Sequence, residues 1–173
     1  MVSGNVKDAR MDLETFVQRY YMDKILYAAN RRFTEMSAGQ YELRMISEEK
    51  AGSGRNRGLD LMVYSNVTGK EREIRTLSGG ESFMAALALA LGMADTIREN
   101  SSAVNLDIMF IDEGFGSLDE HSRNQAVRVL LEMAEGNRMI GIISHVSELQ
   151  QEIEDQLLVK KNEEGSYVHW QIS

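Results

Sequence analysis

Apolar residues fall at helical spacing from the start of the readable pattern: Leu13, Phe16, Val17 and Tyr20, then Met22, Ile25, Leu26, Ala29, Phe33 and Met36 after one shift of phase. This spacing predicts a helix over residues 12–37, closed near Gly39. The period then drops to two. Tyr41, Leu43 and Met45 alternate with Glu42 and Arg44, and Leu59, Leu61 and Val63 alternate with Asp60, Met62 and Tyr64, so two strands are expected around the loop AGSGRNRG, Ala51–Gly58. A turn is expected over Asn66–Lys70 and a third strand over Glu73–Thr76. The Ala- and Leu-dense run after Ser78 predicts a buried helix from Glu81 to Arg98. Leu106–Gly114 reads as a buried parallel strand, 119–134 as a helix with Ala126, Val127, Leu130, Leu131 and Ala134 inward, and Arg138–Ile143 as a second buried strand.

Composition narrows the class. A chain of 173 residues is long enough for one core. With no Cys, disulfides and thiolate metal sites are excluded, and a reducing cytoplasm is the expected setting. No signal-peptide pattern follows Met1, and no apolar run is expected to reach the roughly 18 residues of a membrane span. The absence of Pro leaves helix interiors unbroken. Net charge is −8, which argues against a general nucleic-acid surface, but it divides unevenly: +2 over residues 1–76 and −10 over 77–173. Any DNA contact is therefore expected in the first half, where Arg31, Arg32, Arg44, Lys50, Arg55, Arg57 and Lys70 lie, although most of these read as a solvated face. The Gly-rich loop at 51–58 fits no phosphate-cradle pattern and reads as a connector.

The chemistry gathers at three places. LSGGE, Leu77–Glu81, places Ser78 as an N-cap, with Gly79 and Gly80 leaving first-turn amides open to an anion. LDIMFIDEG closes an apolar strand on Asp112 and Glu113, a pairing that suits metal-assisted phosphoryl transfer: one carboxylate orients Mg²⁺ through water and the other polarises an attacking water. The next strand ends at Ser144 and His145, and Asp119 stands at the start of the intervening helix as an N-cap candidate. The three His, at 121, 145 and 169, are too scattered for a metal site.

LSGGE, a strand ending Asp-Glu, Ser117-Leu118-Asp119 and a strand ending in His follow one another in the order of the signature, Walker B, D-loop and switch histidine of ABC-type ATPases. Among these the chain most resembles the SMC-like DNA-repair ATPases, and within them the C-terminal ATPase lobe of the bacterial SbcC family. That likeness is carried by TFVQRYYMDKILYAANRRFTEMSAGQYEL, GLDLMV and TLSGGESFMAALALALGMAD.

The resemblance implies an α/β fold, a mostly parallel buried sheet with flanking helices, a small β segment and a coiled-coil base helix. Residues 1–39 would form the base of the returning coiled coil and 40–173 the lobe. It implies Glu113 as general base, Asp112 as the Mg²⁺ residue acting through water, and His145 on the γ-phosphate. Ser78, Gly79, Gly80 and Glu81 would bind ATP held by the opposite head of a homodimer, with Asp119 linking the two sites. The family's Walker A loop, Q-loop and zinc hook do not occur in these residues, so the chain is expected to be part of a longer polypeptide and inactive alone. Implied partners are its own N-terminal lobe, a second head, an SbcD-type metal-dependent nuclease and DNA through the assembly, with no membrane. Two other readings stay open: a non-hydrolysing ABC-like docking module, and a lobe of another SMC-like recombination or condensation ATPase.

Overall fold

The computed structural model describes residues 13–47, 59–100, 107–135, 138–163 and 165–172. The connector at 51–58, with Arg55 and Arg57, lies outside the described residues, as do Lys50, Asp12 and Leu106.

Helix α1 spans Leu13–Met36. Its two halves differ. Leu26, Ala29, Phe33 and Met36 are buried, whereas Leu13, Phe16, Val17 and Tyr20 of the same predicted stripe are exposed. The helix stops where Ala38 and Gly39 take left-handed conformations, φ 50° and 78°, and Gly39 N–H returns to the Thr34 carbonyl at 2.7 Å.

Strands β1 (Tyr41–Met45), β2 (Leu61–Ser65) and β3 (Lys70–Glu73) form an antiparallel meander. The third strand lies earlier than the sequence pattern predicts. Residues 74–76 are a 3₁₀ turn instead, and the turn after β2 ends at Gly69, before Lys70 joins the sheet. KERE carries no apolar alternation. It is strand because its backbone pairs with Met62–Ser65, with Arg72 opposite Val63. The sheet is tied to α1 by Asn30, whose amide donates to Leu43 O at 2.9 Å and accepts from Leu43 N–H at 2.7 Å.

Helix α2 runs from Gly79 to Asn100 and buries Met84, Ala85, Leu87, Ala88 and Leu91. Contrary to the sequence expectation, it is long and apolar enough to cross a membrane by length and composition. One face of the helix, Met84, Ala85, Leu87, Ala88 and Leu91, lies in the hydrophobic core. It crosses α1 backbone against backbone. A Cβ on Gly92 would lie 2.7 Å from Ile25 O and 2.8 Å from Ala29 N. Nearby, Asp95 of α2 accepts from Arg32 of α1 and from Arg138. Burial pushes the Asp95 carboxyl up, but the hydrogen bonds from Arg138 and Arg32 hold it below the usual range.

Strands β4 (Ile108–Asp112) and β5 (Met139–Ile143) pair in parallel, joined through helix α3 (Glu120–Ala134). One expectation fails: these strands are not buried on both faces. Met109, Ile111, Ile140 and Ile142 face the core, while Ile108 and Phe110 are 57% and 69% exposed and Met139 and Ile143 are exposed beside them. Among the described residues the pair is covered by helices on one side only. Leu131, placed inward by its spacing, is likewise exposed. A short helix α4 (Leu149–Glu152) and the hairpin β6 (Gln156–Asn162) and β7 (Gly165–Gln171) complete the chain; the hairpin is absent from the sequence reading.

Candidate nucleotide site

Ser78 and Glu81 cap α2 reciprocally. Glu81 N–H donates to Ser78 Oγ at 3.2 Å, and Ser78 N–H donates to the Glu81 carboxylate at 2.7 Å. The same carboxylate accepts from Arg72 Nη2 at 3.2 Å on each oxygen, while Arg72 Nη1 donates to Thr76 O at 3.0 Å. Burial pushes Glu81 up, but bonds from the Tyr41 hydroxyl, the Ser78 amide and Arg72 hold its carboxyl below the ordinary glutamate range. The bond to Glu81 in turn raises Tyr41. Glu81 is thus spent inside the chain, holding the first turn to the antiparallel sheet through Arg72.

The two glycines differ. A Cβ on Gly79 would meet Ser117 Cβ at an ordinary 3.7 Å, but one on Gly80 would lie 2.8 Å from the Ser117 carbonyl oxygen. Gly80 lets α2 seat against the loop Phe115–Leu118. A cleft of about 230 Å³ opens there, lined by Ser78, Gly80, Ser117, Asp119 and His121 together with Gln40 and Tyr41. Asp119 caps α3, accepting from Ser122 N–H and Ser122 Oγ at 2.9 Å each, which holds its carboxyl below the usual range.

Asp112 ends β4 in register with Ile143, exposed, and alternation places it on the open face shared by Ile108 and Phe110. Glu113 follows in a left-handed conformation, φ 57°, with its N–H on Ile143 O at 2.9 Å. Its carboxylate meets His145 Nδ1 at 3.0 Å; the two side chains are 50% and 83% exposed. Adjacent strand ends therefore bring together Asp112, Glu113 and His145. Among the described residues no three His, Cys, Asp or Glu side chains form a ready metal cage. One exposed carboxylate fits an ion that keeps most of its ligands from water and phosphate, which is the habit of Mg²⁺.

The sequence matches the SbcC/RAD50-like Walker B motif family over residues 56–132. It is 47% identical over 165 residues to the SbcC component of the SbcCD nuclease of Vibrio cholerae and 44% identical over 165 residues to that of Treponema pallidum. Over these residues the chain is similar to the SbcC/RAD50-like family. The match to each covers 95% of this chain and 16% of the relative. The fold agrees with SMC ATPase heads. A structure from work on ATP-driven dimerization and DNA-stimulated activation of SMC ATPases superposes with TM-score 0.66 at 18% identity, covering 90% of this chain and 88% of that one. The Smc head of Pyrococcus furiosus bound to the C-terminal domain of ScpA gives 0.63 at 18% identity, covering 92% and 37%.

Three residues with no place in the sequence reading matter here: Arg72 and Phe83 at the site, and Asp95 in the packing of α1 on α2. Arg72 and Asp95 act through ion pairs 9 and 63 residues away, to Glu81 and Arg32. Phe83 carries no sequence signal beyond that of one apolar residue in a helix.

Proposed function

We propose that this chain is the C-terminal lobe of an SbcC-type ATPase head, that it hydrolyses ATP at a composite site with an N-terminal lobe, and that head dimerisation driven by ATP is coupled to DNA end processing by an SbcD-type nuclease. The observation that carries this reading is the Glu113–His145 pair beside Asp112 at the ends of two parallel strands, in a chain whose LSGGE segment caps a separate helix.

Glu113 is the general base that orients the attacking water. His145 spends Nδ1 on Glu113, which leaves Nε2 as the end that reaches the γ-phosphate. Asp112 would hold Mg²⁺ through water, and the ion, when bound, would supply charge neutralisation at the phosphate oxygens. Ser78, Gly79 and the amides of the first α2 turn receive the γ-phosphate of ATP on the opposite head. Glu81 supports them by fixing Ser78 rather than by touching the nucleotide. Asp119, on the same cleft as Ser78, connects the two sites. The uncovered apolar face of β4 and β5 is the surface the N-terminal lobe packs on, and the exposed outer half of α1 is the root of a coiled coil.

The test is Glu113→Gln in the full-length polypeptide. Turnover should fall about 10²–10⁴-fold, near 3–5 kcal/mol at the barrier, with ATP binding retained. Undiminished hydrolysis would remove Glu113 from the role.

A further inference from the structure

Glu113 and Gly114 are consecutive residues in left-handed conformations, φ 57° and 97°. For Glu113 this conformation is strained, so the surroundings must impose it. Some of the constraint is local: Glu113 N–H bonds to Ile143 O, and Ser117 Oγ donates to Gly114 O at 2.7 Å. The rest comes from α2. The Phe83 ring lies directly on Gly114, where an added Cβ would sit 2.1 and 2.2 Å from two ring carbons. The far side of the contact is fixed as well. Phe83 meets Phe115 edge to face at 4.9 Å between centroids, and Phe115 is fully buried.

Phe83 also stands five residues beyond Ser78 on one continuous helix, about 7.5 Å along its axis. A helix of this length moves as a rod. Any displacement of its capped N-terminus is carried to the ring that rests on Gly114, and from there to the strained peptide that aims Glu113.

We propose that Phe83 is a positioning residue for Glu113: it couples phosphate capture at the Ser78 end of α2 to the aim of the general base. Resting on the ATPase reading above, this means that engagement of one nucleotide by Ser78 sets the hydrolytic competence of the other, at Glu113 of the same head.

The experiment compares Phe83→Leu, Phe83→Tyr and Glu113→Gln, singly and as the Phe83→Leu/Glu113→Gln pair, in the full-length polypeptide, with Phe83→Met replacing Phe83→Leu if the latter does not fold. Phe83→Leu should lower kcat about 10–100-fold, the scale of a misaimed group, with ATP affinity unchanged. Phe83→Tyr, which keeps the ring, should recover most of the rate. In the Glu113→Gln background Phe83→Leu should remove nothing further, because both act through one group. Wild-type kcat in Phe83→Leu, or in Phe83→Met where that variant replaces it, overturns the proposal while Glu113→Gln is inactive and the ATPase reading stands. Equal losses in the Leu and Tyr variants, additive losses in the pair, or a loss confined to ATP affinity overturn it too. If Glu113→Gln turns over normally, the reading beneath it falls first.

Discussion

The two ends of the candidate site are built in opposite ways. The LSGGE end is held several times over: Ser78 and Glu81 cap each other, Arg72 grips Glu81 from β3, and Gly80 seats the turn against Ser117. The Glu113 end is half exposed, left-handed at two successive residues, and its side chain is bonded to an exposed His145. A fixed cradle suits a group that must receive a phosphate in one geometry. A strained, open carboxylate suits a group whose aim is to be set from elsewhere, and strain of this kind persists only when neighbours impose it.

Substitutions at the two ends should therefore differ in size. Gly114→Ala brings its methyl into the Phe83 ring and places a side chain at φ 97°; overpacking and strain together should cost about 3–4 kcal/mol in denaturant unfolding. Gly80→Ala meets the Ser117 carbonyl and, at 3.3 Å, Leu118 Cδ2, but in a helical conformation, and should cost about 1–3 kcal/mol. Gly79→Ala, with an ordinary contact, should leave stability unchanged; a stable Gly79→Ala protein that no longer dimerises with ATP would assign that glycine to close approach of phosphate alone. A further effect lies in the pH profile. Glu81 has a folded pKa depressed below its ordinary value of 4.5, so its contribution is present above that value and is lost as pH falls through the folded pKa. Glu81→Gln should flatten the acid limb of the stability curve below about pH 4.5 and leave it unshaped near neutrality.

Much of this is readable in the sequence, and the failures have a common cause. The Ser78 and Asp119 caps, α2, α3 and the strand ends at Asp112 and Ile143 are local patterns, and local patterns survive without knowledge of the fold. The position of β3 is not readable, because Lys-Glu-Arg-Glu becomes strand through its pairing with β2. The hairpin β6–β7 escapes although the apolar run Leu157–Val159 precedes Lys160 and Lys161 and Gly165 follows; it buries almost nothing, so hydrophobicity gives little to read. At the site, strand logic places Asp112 at the end of β4 and Glu113 and His145 at adjacent strand ends, where the last two side chains meet. It does not reach Arg72 and Phe83, since an ion pair to Glu81 and a ring on Gly114 depend on how separate elements pack.

The crossing of α1 and α2 at Gly92 has a mechanical side. Ile25 and Ala29 face Gly92 of α2 through backbone and the Ala29 methyl, leaving no flexible side chain to yield at that point, while the twelve residues from Leu13 to Lys24 extend beyond it for about 18 Å. The crossing is thus a fulcrum from which the outer part of α1 extends. A tilt of about 10° at Gly92 swings the tip of that part by about 3 Å, an amplification fixed by helix rise alone.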